Sequence, residues 1–156
     1  MKMPAEHIRE EIQQSGVISF ARFMELALYC PETGYYEKKK DNVGRGGDFI
    51  TSVSVGSLFG ELLAFQFAGW LDDLKADPGK RVIIEAGAHD GKLAADILNW
   101  LQVNRPKLFS DIEYCLVEPS PHRQSWQRET LKAFPNVRWF NGLDDFSRTS
   151  PANVAT

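Results

Sequence analysis

The stretch RVIIEAGAHDGKLAADILNWL, residues 81–101, predicts a strand, a glycine-bearing turn and an amphipathic helix. Val82, Ile83 and Ile84 form a continuous apolar run, which is typical of a strand covered on both faces in a parallel sheet. After the turn, apolar residues recur at helical spacing and give the helix one inner face, formed by Leu93, Ile97, Leu98 and Leu101. The sequence therefore predicts an α/β fold.

Two more strands follow along the chain. Residues 112–117 and 137–140 are apolar runs that we predict as the second and third strands. Arg105-Pro106 ends the first helix, and Pro135-Asn136 is predicted to stop a second helix, whose inner face is lined by Trp126, Thr130, Leu131 and Phe134. Right-handed crossovers would place the three strands side by side, with a ligand site beyond their carboxyl ends.

Acidic residues stand at two of these strand ends. Glu85 ends the first strand and Glu118 ends the second. A carboxylate beside a helix N-terminus would repel a pyrophosphate by about 1–4 kcal/mol, but it would attract a sulfonium or an ammonium group. Glu118 offers two acceptor oxygens to the hydroxyls of a ribose. Together they suggest S-adenosylmethionine as the ligand. The alternatives are that Glu85 caps the following helix and that Glu118 begins a turn before Pro119.

The turn does not match the dinucleotide fingerprint. GxGxxG would need glycines at 87, 89 and 92, and this chain has Gly87, His89 and Lys92. A nicotinamide dehydrogenase is therefore disfavoured. We interpret His89 as a turn residue with positive φ, which histidine tolerates better than most residues; the alternative is a ligand contact. Because the three histidines and two cysteines are scattered, no metal site is predicted.

Composition restricts the partners and the compartment. The net charge of −3 and the pI near 5.6 give no broad basic surface for nucleic acid, and Lys38-Lys39-Lys40 is interpreted as a solvated loop. Cys30 and Cys115 lie far apart, which fits a reducing compartment. The first residues carry three glutamates and resemble neither a secretory signal nor a transit peptide. No apolar stretch approaches the roughly 20 residues of a membrane span. We expect a cytoplasmic protein.

The chain divides into a helical N-terminal region, residues 1–79, and the strand-and-helix region 80–156, with Asp77-Pro78-Gly79 as the boundary. In the first region, Ser19 is a predicted N-cap of an amphipathic helix that Pro31 terminates. Three glycines in four positions then predict a loop, at Gly44, Gly46 and Gly47. Residues 56–75 predict a long helix with a broad apolar stripe of Phe59, Leu62, Leu63, Phe65, Phe67, Trp70, Leu71 and Leu74. We expect this stripe to be core, and the alternative is a partner surface.

Three segments resemble the MidA family of S-adenosylmethionine-dependent methyltransferases: ISFARFMELALYCPETGYY at 18–36, GRGGDFITS with FGELLA at 44–64, and EAGAHDGKLAADIL with LVEPSP at 85–121. The resemblance implies a Rossmann-like class I methyltransferase fold, here its first βαβαβ half, preceded by the helical region. It also implies a protein substrate, which is an arginine side chain of a complex I subunit for the mitochondrial relative. The implied cofactor contacts are Gly46, Gly47, Asp48, Phe49, Thr51, Glu85, Gly87, Ala88, His89, Gly91, Glu118, Leu143 and Asp144.

The chain departs from this family at several points. Val53-Ser54-Val55 stands where the family usually has Pro-Glu-Ile, and Ala88 and His89 stand where it usually has proline and glycine. Family members are roughly twice as long, so the first strand would have an open edge. We expect that edge to be covered by a missing C-terminal half, a second copy or a partner chain. No residue is predicted as a catalytic base, and a non-catalytic binding or assembly module remains the alternative function.

Overall fold

A computed structural model describes residues 3–38, 43–44, 46–74 and 81–149. The chain forms two compact units, Met1–Ile50 and Thr51–Thr156, which are described separately. The boundary predicted at Asp77-Pro78-Gly79 lies outside the described residues, as do Lys39 and Lys40 of the basic run. Within the described residues, no helix combines the length and the apolarity that crossing a bilayer requires.

The first unit is helical. It contains α1 (Pro4–Ser15), α2 (Phe20–Tyr29) and α3 (Tyr35–Lys38). Ser19 caps α2 as predicted, since its Oγ accepts a hydrogen bond from the Arg22 backbone N–H at 3.2 Å. The Arg22 guanidinium also donates to Glu11 of α1 at 2.7 Å, which ties the first two helices together.

The second unit contains a parallel sheet of β1 (Arg81–Ala86), β2 (Ile112–Val117) and β3 (Val137–Phe140), in the order β1-β2-β3. The prediction of three adjacent strands is therefore confirmed. All six residues of the central strand β2 are buried, because helices or neighbouring strands cover it on every side. Cys115 is fully buried in this strand, where it packs with Val117, Phe140 and Phe146.

Helices surround this sheet. They are α4 (Ser52–Val55), α5 (Leu58–Asp73), α6 (Lys92–Asn104), α7 (Pro106–Asp111), α8 (Pro121–Thr130) and α9 (Leu143–Thr149). The break predicted at Arg105-Pro106 is confirmed, and Pro106 then begins α7, where a missing N–H costs nothing. Helix α8 was expected to continue to Pro135, but it ends at Thr130, where the Leu131 N–H makes the last bond to the Gln127 carbonyl.

The prediction that the broad apolar stripe of α5 is core was right only in part, since Leu71 is buried and Leu63 and Phe67 pack against the core. This helix buries a face of small residues and Leu71, namely Gly60, Ala64, Ala68 and Leu71. Small side chains let α5 approach α6 so closely that a Cβ at Gly60 would lie 2.5 Å from the Cβ of Asp96. The large residues consequently remain exposed, at Phe59, Leu62, Phe65, Trp70 and Leu74.

Candidate functional site

The turn between β1 and α6 contains three residues with positive φ: Gly87 at 74°, His89 at 49° and Gly91 at 83°. The Gly91 N–H donates to the Ala88 carbonyl at 2.7 Å and closes the turn. The interpretation of His89 as a turn residue in the left-handed region is confirmed. At this position the chain adopts a left-handed backbone conformation with histidine, where the MidA family usually has glycine.

The two glycines of the turn differ in what surrounds them. A Cβ at Gly87 would meet nothing within 4 Å, so this side of the turn is open. A Cβ at Gly91 would lie 3.2 Å from Leu131 Cδ1 and 3.4 Å from Gln127 Cα. Gly91 therefore allows the turn to pack against the core, whereas Gly87 leaves backbone accessible to a ligand.

Glu85 lies near the end of β1 and accepts a hydrogen bond from the Tyr114 hydroxyl at 2.8 Å. Burial raises the pKa of the Glu85 carboxyl above its ordinary value, and the charge of Asp90 adds to this effect, while the Tyr114 hydrogen bond opposes it. The alternative that Glu85 caps α6 was wrong. The N-cap of α6 is Gly91, which has no side chain to cap the helix, and Asp90 Oδ1 accepts a hydrogen bond from the Lys92 backbone N–H at 3.1 Å.

Glu118 is fully buried at the end of β2. Its carboxylate accepts hydrogen bonds from the Ser120 backbone N–H at 3.0 Å, from Arg123 Nη2 at 3.0 Å and from Gln127 Nε2 at 3.3 Å. The bond from Ser120 means that Glu118 does organise the turn around Pro119, as its alternative interpretation stated. An ionised carboxylate has about four acceptor positions, so these three donors leave it little free capacity.

Gln127 of α8 was not predicted from the sequence, yet it connects the first two strand ends. Its fully buried amide donates to the His89 carbonyl at 3.1 Å and to Glu118 at 3.3 Å, and it accepts from Trp139 Nε1 at 3.1 Å. The first two strand ends are also joined directly, since the Gly87 N–H donates a hydrogen bond to the Val117 carbonyl at 3.3 Å. The sequence could have indicated that Gln127 is buried, because it stands four residues before the apolar Leu131 and so lies on the same face of the helix.

The end of β3 contributes a third segment. Leu143 and Asp144 lie in the first turn of α9, and both side chains are exposed. Asp145, which was not predicted, accepts a hydrogen bond from the Asn141 backbone N–H at 3.0 Å and so fixes the start of the helix. The structure leaves the two predicted residues accessible, and their contact with the cofactor stays a prediction.

The glycine-rich loop belongs to the first unit up to Ile50. Gly47 N–H donates to the Gly44 carbonyl at 3.0 Å, and the Tyr35 hydroxyl donates to Asp48. This hydrogen bond, together with burial and the Asp48 charge, raises the pKa of Tyr35 to about 12. Phe49 packs edge-on against the Tyr35 ring. These contacts order the loop around Asp48, and the predicted cofactor contacts of Gly46, Gly47, Asp48 and Phe49 remain predictions.

Thr51 begins the second unit and caps α4. Its Oγ1 accepts from the Ser54 N–H at 3.2 Å, and Ser54 Oγ accepts from the Thr51 N–H at 3.0 Å. This reciprocal pair is a capping box, in which glutamate or glutamine ordinarily holds the second position. Ser54 stands where the resembling family has glutamate, so the departure at Val53-Ser54-Val55 preserves the local helix start.

Comparison with known proteins identifies relatives. The sequence model of a family of S-adenosyl-L-methionine-dependent methyltransferases matches residues 62–155. The protein arginine methyltransferase NDUFAF7, mitochondrial, of Danio rerio is 37% identical over 128 residues, which are 81% of this chain and 30% of the relative. The Homo sapiens protein of the same name is 35% identical over 127 residues, 80% of this chain and 28% of the relative. The chain thus spans less than a third of these proteins.

Two solved protein structures have a fold similar to that of this chain. A Burkholderia thailandensis protein bound to S-adenosyl-homocysteine is 36% identical with a TM-score of 0.69, over 89% of this chain and 37% of that one. A native crystal structure of a protein from the same organism gives a TM-score of 0.65 at 36% identity, over 89% of this chain and 34% of that one.

Proposed function

We propose that this chain, which belongs to the family of S-adenosyl-L-methionine-dependent methyltransferases, forms the cofactor-binding part of a protein methyltransferase. The observation that carries the proposal is the open backbone at Gly87, beside a strand end that bears the Glu85 carboxylate. An open glycine lets a ligand approach the main chain, and a carboxylate there favours a cation over a phosphate. Both features suit a sulfonium nucleoside.

The residues of the site would contact different parts of the cofactor. The cofactor, when bound, supplies a methyl group on a positively charged sulfur. Glu85 would face its cationic end, and the Gly87 and Ala88 backbone would lie against it. Glu118 would accept from the ribose hydroxyls, which requires one of its present donors, such as Arg123 or Gln127, to move aside because the carboxylate is nearly saturated.

The remaining predicted contacts complete the proposed site. Leu143 and Asp144 would lie near the adenine. The loop with Gly46, Gly47, Asp48, Phe49 and Thr51 would fold over the cofactor, and His89 and Gly91 would shape its turn. The proposal assigns no catalytic base; methyl transfer to a positioned nucleophile depends mainly on proximity and orientation.

We propose a protein side chain as the acceptor, and an arginine in particular. Support comes from the relatives, which carry the name protein arginine methyltransferase. The net charge of −3 gives no support for nucleic acid as the acceptor. A reducing, cytoplasmic location is also a proposal, supported by the free cysteines Cys30 and Cys115. Cell fractionation with an antibody against this chain would test that location, and enrichment in mitochondria would contradict it.

A further segment of a longer polypeptide is our proposed cover for the open edge of β1. Ile84 on this strand is 46% exposed, and with Phe67, Trp70 and Leu74 of the neighbouring α5 region it lines an apolar groove of about 290 Å³. Natural proteins rarely leave an apolar edge strand open. A second copy or a separate partner chain are the other possible covers, and a stable dimer of this chain in light scattering would contradict our proposal.

Calorimetric titration with S-adenosyl-homocysteine would test the cofactor assignment, with NAD as a second ligand. We expect micromolar binding of the first ligand only. Gly87→Ala fills the open side of the turn, so its affinity should fall at least about tenfold. Gly69→Ala is the matched control, because its Cβ also meets nothing within 4 Å but lies in helix α5.

Glu118→Ala provides a second test, since it should weaken binding if this carboxylate holds the ribose. Circular dichroism must first show that the variant is folded, because Glu118 is part of a buried network. Binding of neither nucleotide by the folded parent chain would contradict the cofactor proposal. Binding of S-adenosyl-homocysteine without methyl transfer to protein arginine by a longer form would favour the alternative, a non-catalytic binding or assembly module.

A further inference from the structure

The first unit brings His7 of α1 close to two residues that are distant from it in sequence, Cys30 at the end of α2 and Glu32 in the turn that follows. Cys30 Sγ lies 3.7 Å from Glu32 Oε2, and His7 Nε2 lies 3.9 Å from the same oxygen. The three potential ligand atoms all lie within 4.8 Å of one another. The prediction of no metal site considered only sequence spacing, and it did not anticipate this convergence.

The main chain around Cys30 is held in a tight turn. The Cys30 carbonyl accepts from the Gly34 N–H at 2.7 Å and from the Thr33 N–H at 3.2 Å. A Cβ at Gly34 would lie 2.6 Å from the Cys30 nitrogen and 2.7 Å from the Leu28 carbonyl oxygen, so only glycine fits there. The turn therefore holds the main chain that carries Cys30 and Glu32 in one conformation.

The imidazole of His7 supplies an independent sign of a missing partner. Its Nε2 atom is buried, and among the described residues it has no hydrogen-bond partner. A buried polar atom without a partner costs about 1–3 kcal/mol, and such atoms are rare in folded proteins. The Glu32 oxygen is too distant, at 3.9 Å, to be a hydrogen-bond acceptor for it. An ion between these groups would satisfy the nitrogen.

We propose that His7 Nε2, Cys30 Sγ and the Glu32 carboxylate bind a divalent transition-metal ion, with zinc as the preferred metal. Thiolate, imidazole and carboxylate are all zinc ligands, and bond lengths of about 2.0–2.3 Å place two tetrahedral ligands about 3.3–3.8 Å apart. The separation of 3.7 Å between Cys30 and Glu32 already lies in that range, the 3.9 Å between His7 and Glu32 lies just outside it, and all three atoms are within 4.8 Å of one another. Three protein ligands leave a fourth position for water or an external ligand.

The charges and the access also suit a divalent cation. Binding releases the thiol proton of Cys30, so a thiolate and a carboxylate would neutralise the two positive charges of the metal. Cys30 is only 8% exposed, which protects the thiolate, whereas the Glu32 side chain is 72% exposed and gives the ion a path to the site. This proposal does not rest on the proposed methyltransferase function, because all three ligands belong to the first unit.

The test is a titration of the complete 156-residue chain, reduced and freed of metal, with zinc by calorimetry and with cobalt by absorption spectroscopy. We expect one ion per chain and a thiolate-to-cobalt charge-transfer band. Cys30→Ser should abolish the band. His7→Asn should weaken zinc binding by about 100-fold or more, beyond the 10–100-fold typical of outer-shell residues. Cys115→Ser, at the other free cysteine, should retain both the band and the affinity.

Several results would overturn the proposal. Zinc affinity that is unchanged in both His7→Asn and Glu32→Gln would mean that these residues are not ligands. A charge-transfer band that survives Cys30→Ser or disappears in Cys115→Ser would place the metal elsewhere. If Cys30→Ser does not fold by circular dichroism, the His7→Asn and Glu32→Gln variants decide the question, because both side chains are partly accessible and their replacements are similar in size.

Discussion

Gly91 is the residue of the β1–α6 turn that tolerates substitution least. Gly91→Ala places a Cβ at a φ of 83° and only 3.2 Å from Leu131. An alanine in the left-handed region costs about 1–2 kcal/mol, and displacement of Leu131 adds to this. We expect the free energy of unfolding, measured by urea denaturation, to fall by about 1–3 kcal/mol.

Gly69→Ala is the control for that substitution. Its added Cβ meets nothing within 4 Å and replaces a glycine inside helix α5, so it should stabilise the protein by about 0.5–1 kcal/mol. Equal stability of the two variants would contradict the packing that we assign to Gly91.

The residues of the turn were predictable from sequence only where local chemistry decides them. His89 could be placed in the left-handed region because few residues tolerate that conformation. The buried network of Glu118, Arg123 and Gln127 could not be predicted, because its bonds join the end of β2 to α8 and depend on how the helix docks. The hydrogen bond from the Lys92 N–H to Asp90 was not predicted either.

Glu85 makes stability depend on pH. Because burial raises the pKa of its carboxyl above the ordinary 4.5, the native state holds this proton more tightly than the unfolded state. The stability that this proton contributes is therefore fully present below the unfolded-state pKa, and it is lost as the pH rises through the folded-state pKa.

The variant Glu85→Gln tests the direction in which stability changes with pH. The variant cannot ionise there, and its amide oxygen can still accept from the Tyr114 hydroxyl. We expect it to be more stable than the parent at about pH 7 and to lose that advantage at about pH 4, in urea denaturation across this range. A stability difference that is constant with pH would show that Glu85 ionises equally in both states.

At the scale of elements, apolar runs predicted the strands well and the packing of α5 poorly. Strand β2 coincides with the predicted residues 112–117 because a continuous apolar run suits a strand buried on both faces. The packed face of helix α5 was predicted correctly only in part, because its large residues form the more conspicuous stripe while its small residues make the close contact with α6. Hydrophobicity alone does not indicate which face of such a helix approaches its neighbour.

Ala64→Leu tests which face of α5 is packed. Ala64 is fully buried against the core, and extra methyl groups in a filled core typically cost about 1–3 kcal/mol. We expect a loss of that size in urea denaturation. The control is Leu62→Ala, because Leu62 is 60% exposed and its truncation should change stability by less than about 0.5 kcal/mol. The reverse order of effects would mean that the apolar stripe is the packed face after all.

For the whole molecule, the open edge of β1 is the main departure from a self-contained α/β domain. Ile83 and Ile84 are adjacent and face opposite sides of the sheet, and they are 8% and 46% exposed. Ile84→Lys should reduce non-specific aggregation and binding of a hydrophobic dye, because a lysine on an edge strand opposes pairing with other chains. Its stability should remain within about 0.5 kcal/mol of the parent.

Ile83→Lys is the matched contrast on the covered face of the same strand. It buries an unpaired charge in the core cluster and should cost roughly 3–5 kcal/mol, enough to unfold a small domain. Light scattering and dye fluorescence on the parent and on Ile84→Lys, with urea denaturation of all three proteins, separate the two faces. If Ile84→Lys destabilises as much as Ile83→Lys, the β1 edge is already packed in this chain, and no further segment is required to cover it.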